Sequence, residues 1–160
     1  MSIDFNFSKW VIWQARNELS SLNAPGVYAL AKSKVDLNGT PFDWSHDIIY
    51  FGVSGALKKR LRQFDDTVAQ RRKQHGGADR VLFKYPEYNS LISQLYVSVI
   101  AIGNTAASTT PDCLRRIGEA HRLEYYCMAK YLELHSQLPE FNRKDAPKFS
   151  RQQAKTPSSV

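Results

Sequence analysis

Apolar positions along the chain change period several times, and each change marks an element. Behind Ser8, a good helix-capping residue, Trp10, Val11, Trp13, Leu19 and Leu22 predict an amphipathic N-terminal helix over residues 8–22. Asn23-Ala24-Pro25 breaks it, because proline lacks an N–H and restricts the residue before it. Residues 26–31 and 48–52 are short β-prone runs, separated by a polar stretch with an Asn38-Gly39 turn signal and Pro41. That stretch, 32–47, reads as a long hairpin loop or a partly ordered insertion.

After Val53-Ser54-Gly55 the period lengthens: Leu57, Leu61, Phe64 and Val68 recur at three- and four-residue steps, one face of a helix. His75-Gly76-Gly77 is read as its end, since glycine favours the position just past a helix. Residues 78–92 are mixed and predict a short helix and a turn around Pro86. Residues 95–102, with Tyr96, Val97, Val99 and Ile100, form the clearest strand. A polar run then leads to a long helix, capped by Thr110 or Asp112, that lasts to about residue 137 before Pro139. The expected organisation is one domain over residues 1–150, followed by a disordered basic tail at 151–160.

Composition adds a partner class. In 160 residues, 42% apolar and 12% aromatic, there is enough material for one buried core. The sequence has no apolar run long enough to span a bilayer and no signal-peptide pattern, so a soluble, cytoplasmic protein with no membrane partner is expected. Cys113 and Cys127 lack metal-ligand spacing and suggest neither a disulfide framework nor a zinc site. Lys and Arg number 22 against 15 Asp and Glu, a net charge of +7 that favours a polyanion. The excess gathers around the helix after Gly55, at Lys58, Lys59, Arg62, Arg71, Arg72 and Lys73, the candidate nucleic-acid-binding residues.

Several side chains then call for a chemical reading. In the long helix, Ile117, Ala120, Glu124, Met128 and Tyr131 share one stripe, so Glu124 is a carboxylate among apolar neighbours. Burying it costs several kcal/mol, roughly, unless it is paired or bound to metal, and an arginine ion pair or a metal site would each meet that need. Tyr28 and Tyr50 suit half-buried strands, and a phenol works as a base only where cations stabilise its phenolate. Arg60 and Lys58 flank opposite edges of the apolar stripe, and either could serve. His75 reads equally as a helix-end histidine favoured by the dipole or as a catalytic group.

Taken together, Gly26-Val27-Tyr28, Tyr50-Phe51-Gly52, Leu57-Lys58-Lys59-Arg60-Leu61, the lone Glu124, and Pro139-Glu140-Phe141-Asn142 resemble the motifs of the GIY-YIG endonuclease family. The resemblance runs from Pro25 to Asn142. It implies an α/β (α+β) fold with a small central three-stranded antiparallel sheet flanked by helices. It further implies a metal-dependent DNA endonuclease in which Glu124 holds one magnesium or manganese ion near the scissile phosphate. On the same resemblance Arg60 neutralises the phosphate, Tyr28 and Tyr50 position or deprotonate the attacking water, and Asn142 braces the site. His75 is a looser match to the family histidine. Valine and phenylalanine replace the family isoleucines, the loop between the tyrosines is long, and Phe64 stands where relatives carry histidine, a loss that His75 or Arg71 could make good. The alternative expectation is a nucleic-acid-binding module on the same scaffold with impaired catalysis; a basic domain without nucleic-acid function is a third. One such site cuts one strand, which leaves the oligomeric state open.

Overall fold

A computed structural model describes residues 3–72 and 75–150, so the expected tail at 151–160 lies outside the described residues. Its centre is an antiparallel sheet in the order β1-β4-β2-β3, formed by β1 Val11–Ile12, β2 Gly26–Lys32, β3 Ile48–Ser54 and β4 Leu95–Ala101. The helices are α1 Leu57–Val68, α2 Gly76–Lys84, α3 Tyr88–Ile92 and α4 Pro111–His135. Side-chain alternation gives the sheet two faces. Tyr28, Leu30, Val97 and Val99 join Leu57, Leu61 and Phe64 of α1 and Val81 of α2 in one core. Val27, Ala29, Phe51 and Ile100 join Leu123, Cys127 and Tyr131 of α4 in the other. Among the described residues, no helix is long and apolar enough to cross a membrane.

Among the described residues the sheet has four strands rather than the expected three, and the expected N-terminal helix is not formed: Val11–Ile12 is the added strand β1, and only Trp13–Glu18 turns, as a 3-10 helix. Ser8 does not cap a helix: its N–H donates to Val99 O at 2.9 Å, and its hydroxyl accepts from Val99 N at 3.0 Å. On the other side of the segment, Trp10 N donates to Thr40 O at 2.9 Å and Ile12 N to Asn38 Oδ1 at 2.9 Å. With backbone partners on both sides the segment stays extended, and helical geometry is confined to the 3-10 helix Trp13–Glu18. Its apolar residues nevertheless find cover, since Trp10 and Trp13 are fully buried.

The 32–47 stretch is an ordered loop whose Leu37, Phe42 and Trp44 pack on the α4-side core. Gly39 takes a φ of +77°, the left-handed conformation that Asn38-Gly39 announced. α1 is also shorter than expected. It ends at Val68, and Gln70 turns the chain with a φ of 59°. Arg71 and Arg72 then point their backbone N–H groups back to Asp66 O at 2.8 and 3.2 Å. His75 therefore does not end this helix; it caps the start of the next one, with Nδ1 accepting from Ala78 N at 3.1 Å. In α4 the cap is Thr110, whose side chain accepts from Cys113 N, and a left-handed Ser136 closes the helix. Its buried positions are Cys113, Ala120, Leu123, Cys127 and Tyr131, which leaves Glu124 and Met128 half-buried on the margin rather than in the middle of the stripe.

Candidate active site

The two tyrosines come together through strand register. Tyr28 stands opposite Gly52 and Leu30 opposite Tyr50, so both phenols project to the α1 side of the sheet with ring centroids 6.0 Å apart. Gly52 makes this possible. A Cβ at that position would lie 2.3 Å from Tyr28 Cζ, so the phenol lies across the space a side chain would take. Gly77 of α2 does the same for the second ring, since a Cβ there would lie 2.6 Å from Tyr50 Cζ. Tyr28 is completely buried, whereas Tyr50 keeps partial exposure.

His75 sits against both rings, at centroid distances of 6.3 Å from Tyr28 and 5.9 Å from Tyr50, and meets Phe64 edge-on at 5.2 Å. Its Nε2 is 2.6 Å from the Tyr28 hydroxyl. Burial, reinforced by the positive charge of Arg60, lowers its pKa to about 3, so the ring is neutral. Because Nδ1 accepts a backbone N–H, the one ring proton is assigned to Nε2, which donates to the Tyr28 oxygen. The Tyr28 proton is then free to be donated elsewhere.

Arg60 leaves α1 toward this cluster. It is half-buried, its Nε is buried without a partner, and one terminal nitrogen donates to Gln63 Oε1 at 3.3 Å. Its charge acts on Tyr28, Tyr50, His75 and Glu124. Lys58, the alternative, is exposed on the other flank of the helix. Glu124 lies on α4, and its charge is felt at both Tyr28 and Tyr50. Burial raises its pKa to about 7, with Arg60 opposing, and among the described residues no hydrogen bond or ion pair engages its carboxylate. Burial also raises both phenols; next in order come Tyr50 for Tyr28 and Glu124 for Tyr50, while Arg60 works in the opposite direction on each.

Asn142 holds the site from outside. In the 3-10 helix Glu140–Asn142 its Oδ1 accepts from Phe51 N at 2.9 Å and its Nδ2 donates to Phe51 O at 2.8 Å, clamping β3 one residue from Tyr50. The remaining basic residues divide. Lys58, Lys59, Arg62 and Arg72 are exposed, whereas Arg71 is paired with Asp65 at 2.6 Å and Asp66 at 2.9 Å; Lys73 lies outside the described residues. His121, one turn before Glu124, is exposed.

Arg80 is the residue that the sequence pattern did not single out. It lies one turn after Gly77, its Nε is buried without a partner, and its charge opposes the raising of Tyr50's pKa. The signal was present in His75-Gly76-Gly77: taken as a helix start rather than a stop, it puts Arg80 on the same face as the glycine beside Tyr50. No protein-family model, curated relative or solved structure matches this chain.

Proposed function

We propose that this protein is a metal-dependent DNA endonuclease of the GIY-YIG type that hydrolyses a phosphodiester by in-line attack of water. One observation carries the reading: Tyr28, Tyr50, Arg60, His75 and Glu124 converge from β2, β3, α1, the start of α2 and α4. Packing alone gives no reason for a half-buried carboxylate and a buried guanidinium nitrogen without partners beside two phenols.

The residues fit a magnesium or manganese ion held by Glu124. Among the described residues there is no group of three or more His, Cys, Asp or Glu that could hold a metal. One free carboxylate suits a hard cation that keeps its waters and takes further oxygens from a substrate phosphate. Such an ion, when bound, supplies positive charge at the leaving oxygen and offsets the Glu124 charge that raises both phenols. Arg60 neutralises the charge that gathers on the phosphate, with Arg80 beside Tyr50 in support. Tyr50, the more accessible phenol, meets the attacking water. Tyr28, held by His75, positions it.

The test is incubation of supercoiled DNA with and without magnesium. Nicking is expected with the metal and not in Glu124→Ala. Cleavage that persists in excess chelator, or that survives the glutamate change, would sink the reading. One observation favours the impaired module instead: Tyr28 is completely buried, and both phenols have raised pKa values. Salt-sensitive DNA binding without cleavage under magnesium or manganese would decide for it.

A further inference from the structure

Helix α1 carries positive charge on two flanks, and only one of them faces the tyrosines. At about 100° per residue, Lys58 and Arg62 lie roughly 160° around the helix from Arg60, with Lys59 near the solvent-facing crown between them. On the Lys58 side is a cleft of about 460 Å³, closed by Arg16 and Asn17 of the 3-10 helix, the Leu22-Asn23 turn and Ala106-Ala107.

The cleft is built for an anion. Its lining contains four cations and no carboxylate. Arg16 is fixed in place: it donates to Trp13 O at 3.1 Å, pairs with Asp65 at 3.3 Å and lies 4.7 Å over the Trp13 ring. Lys58, Lys59 and Arg62 have no ion pair among the described residues and are exposed. The opposite wall is Ala106 and Ala107, within a 103–110 segment of Gly, Asn, Thr, Ala and Ser that carries no charged side chain.

We propose that this cleft is a second phosphate site, which grips the backbone of duplex DNA away from the bond being cut. The inference rests on the endonuclease reading for the nature of the substrate. A helix is about 10–12 Å across with its side chains, so a DNA strand crossing α1 from Arg60 reaches the cleft within a few nucleotides. Lys59 lies on the way. A lone mononucleotide would occupy one flank and leave the other unused. A continuous backbone uses both.

The experiment measures binding of a labelled DNA duplex at several salt concentrations, in chelator, so that no chemistry is needed. Each phosphate contact contributes roughly 0.9 to the slope of log affinity against log salt. Lys58→Gln/Arg62→Gln is expected to lower that slope by about 1–2 relative to wild type. Lys34→Gln/Lys144→Gln removes the same charge at exposed positions outside the cleft and is expected to change it little. Circular dichroism and thermal melting confirm that both doubles are folded; Lys58→Ala/Arg62→Ala repeats the measurement with smaller side chains. Equal slopes for the two doubles, or an unchanged slope in both cleft variants, overturn the second site. Failure of the endonuclease reading shows separately, as absence of magnesium-dependent nicking by a protein that still binds.

Discussion

The imidazole of His75 joins two elements at once: Nε2 lies 2.6 Å from the Tyr28 hydroxyl while Nδ1 accepts the N–H of Ala78 at 3.1 Å. The same ring caps α2 and fixes a β2 phenol, so helix placement and site geometry share one side chain.

His75→Ala removes both bonds. Losing the cap costs about 0.5–2 kcal/mol, and losing one of the bonds of the buried Tyr28 hydroxyl, which Arg60 and Tyr50 still engage, costs about 0.5–1.5 kcal/mol. Urea unfolding is expected to show about 1–3 kcal/mol lost, with His75→Asn recovering the cap's share because asparagine also caps. The pH dependence has a definite sign. The folded pKa of about 3 lies below the ordinary 6.5, so the native state binds fewer protons between them. Stability from this group is full above 6.5 and falls as the pH drops toward 3. The asparagine variant should show a flatter stability curve across that range.

Glu124 works in the opposite direction. Its folded pKa of about 7 lies above the ordinary 4.5, so its contribution is full below 4.5 and is lost as the pH rises through 7. Glu124→Gln is therefore expected to melt higher than wild type at pH ~8, and to lose that advantage at pH ~4. Magnesium should raise the melting temperature of wild type at the higher pH and leave the glutamine variant unmoved. A glutamine variant that gains the same shift would remove Glu124 as the metal ligand.

Three glycines separate cleanly. Gly52→Ala and Gly77→Ala drive a methyl into Tyr28 and Tyr50, at 2.3 and 2.6 Å from ring carbons, and each is expected to cost about 1–3 kcal/mol by overpacking. Nicking should fall with them. Gly76→Ala meets nothing within 4 Å and should be neutral or stabilising by up to about 1 kcal/mol, the usual helix gain over glycine. Thermal melting of the three variants side by side tests the set.

Arg60 and Arg80, each with a buried Nε that lacks a hydrogen-bond partner, should differ in kind. Arg60 influences both phenols, His75 and Glu124, and Arg60→Ala is expected to lower kcat by about two to three orders of magnitude. Arg80 acts on Tyr50, and Arg80→Ala is expected chiefly to raise KM, with partial rescue in Arg80→Lys. Steady-state nicking rates over a range of DNA concentrations distinguish the two.

Much of this architecture could be read from local pattern. β2, β3 and β4 declare themselves as short β-prone runs, and α4 by its Thr110 cap and long period. Where reading failed, the deciding partner was distant. The Ser8 to Ile12 backbone is held by Val99, Thr40 and Asn38, and no local propensity encodes those bonds. His75-Gly76-Gly77 can end one helix or begin another, and the choice follows from Tyr28, 47 residues away in the chain. Glu124 was conspicuous because a carboxylate breaks an apolar stripe; Arg80 was missed because an arginine in a short mixed helix breaks nothing.

Asn142 has a consequence at the sheet margin. β3 is the outer strand, and a bare outer strand is a template on which another chain can add. With its amide the Asn142 side chain offers Phe51 the acceptor and donor that one residue of a neighbouring strand would offer. The sheet is thereby terminated beside Tyr50. Asn142→Ala would reopen that edge, and self-association or turbidity on warming would be its first symptom, ahead of any change in the chemistry.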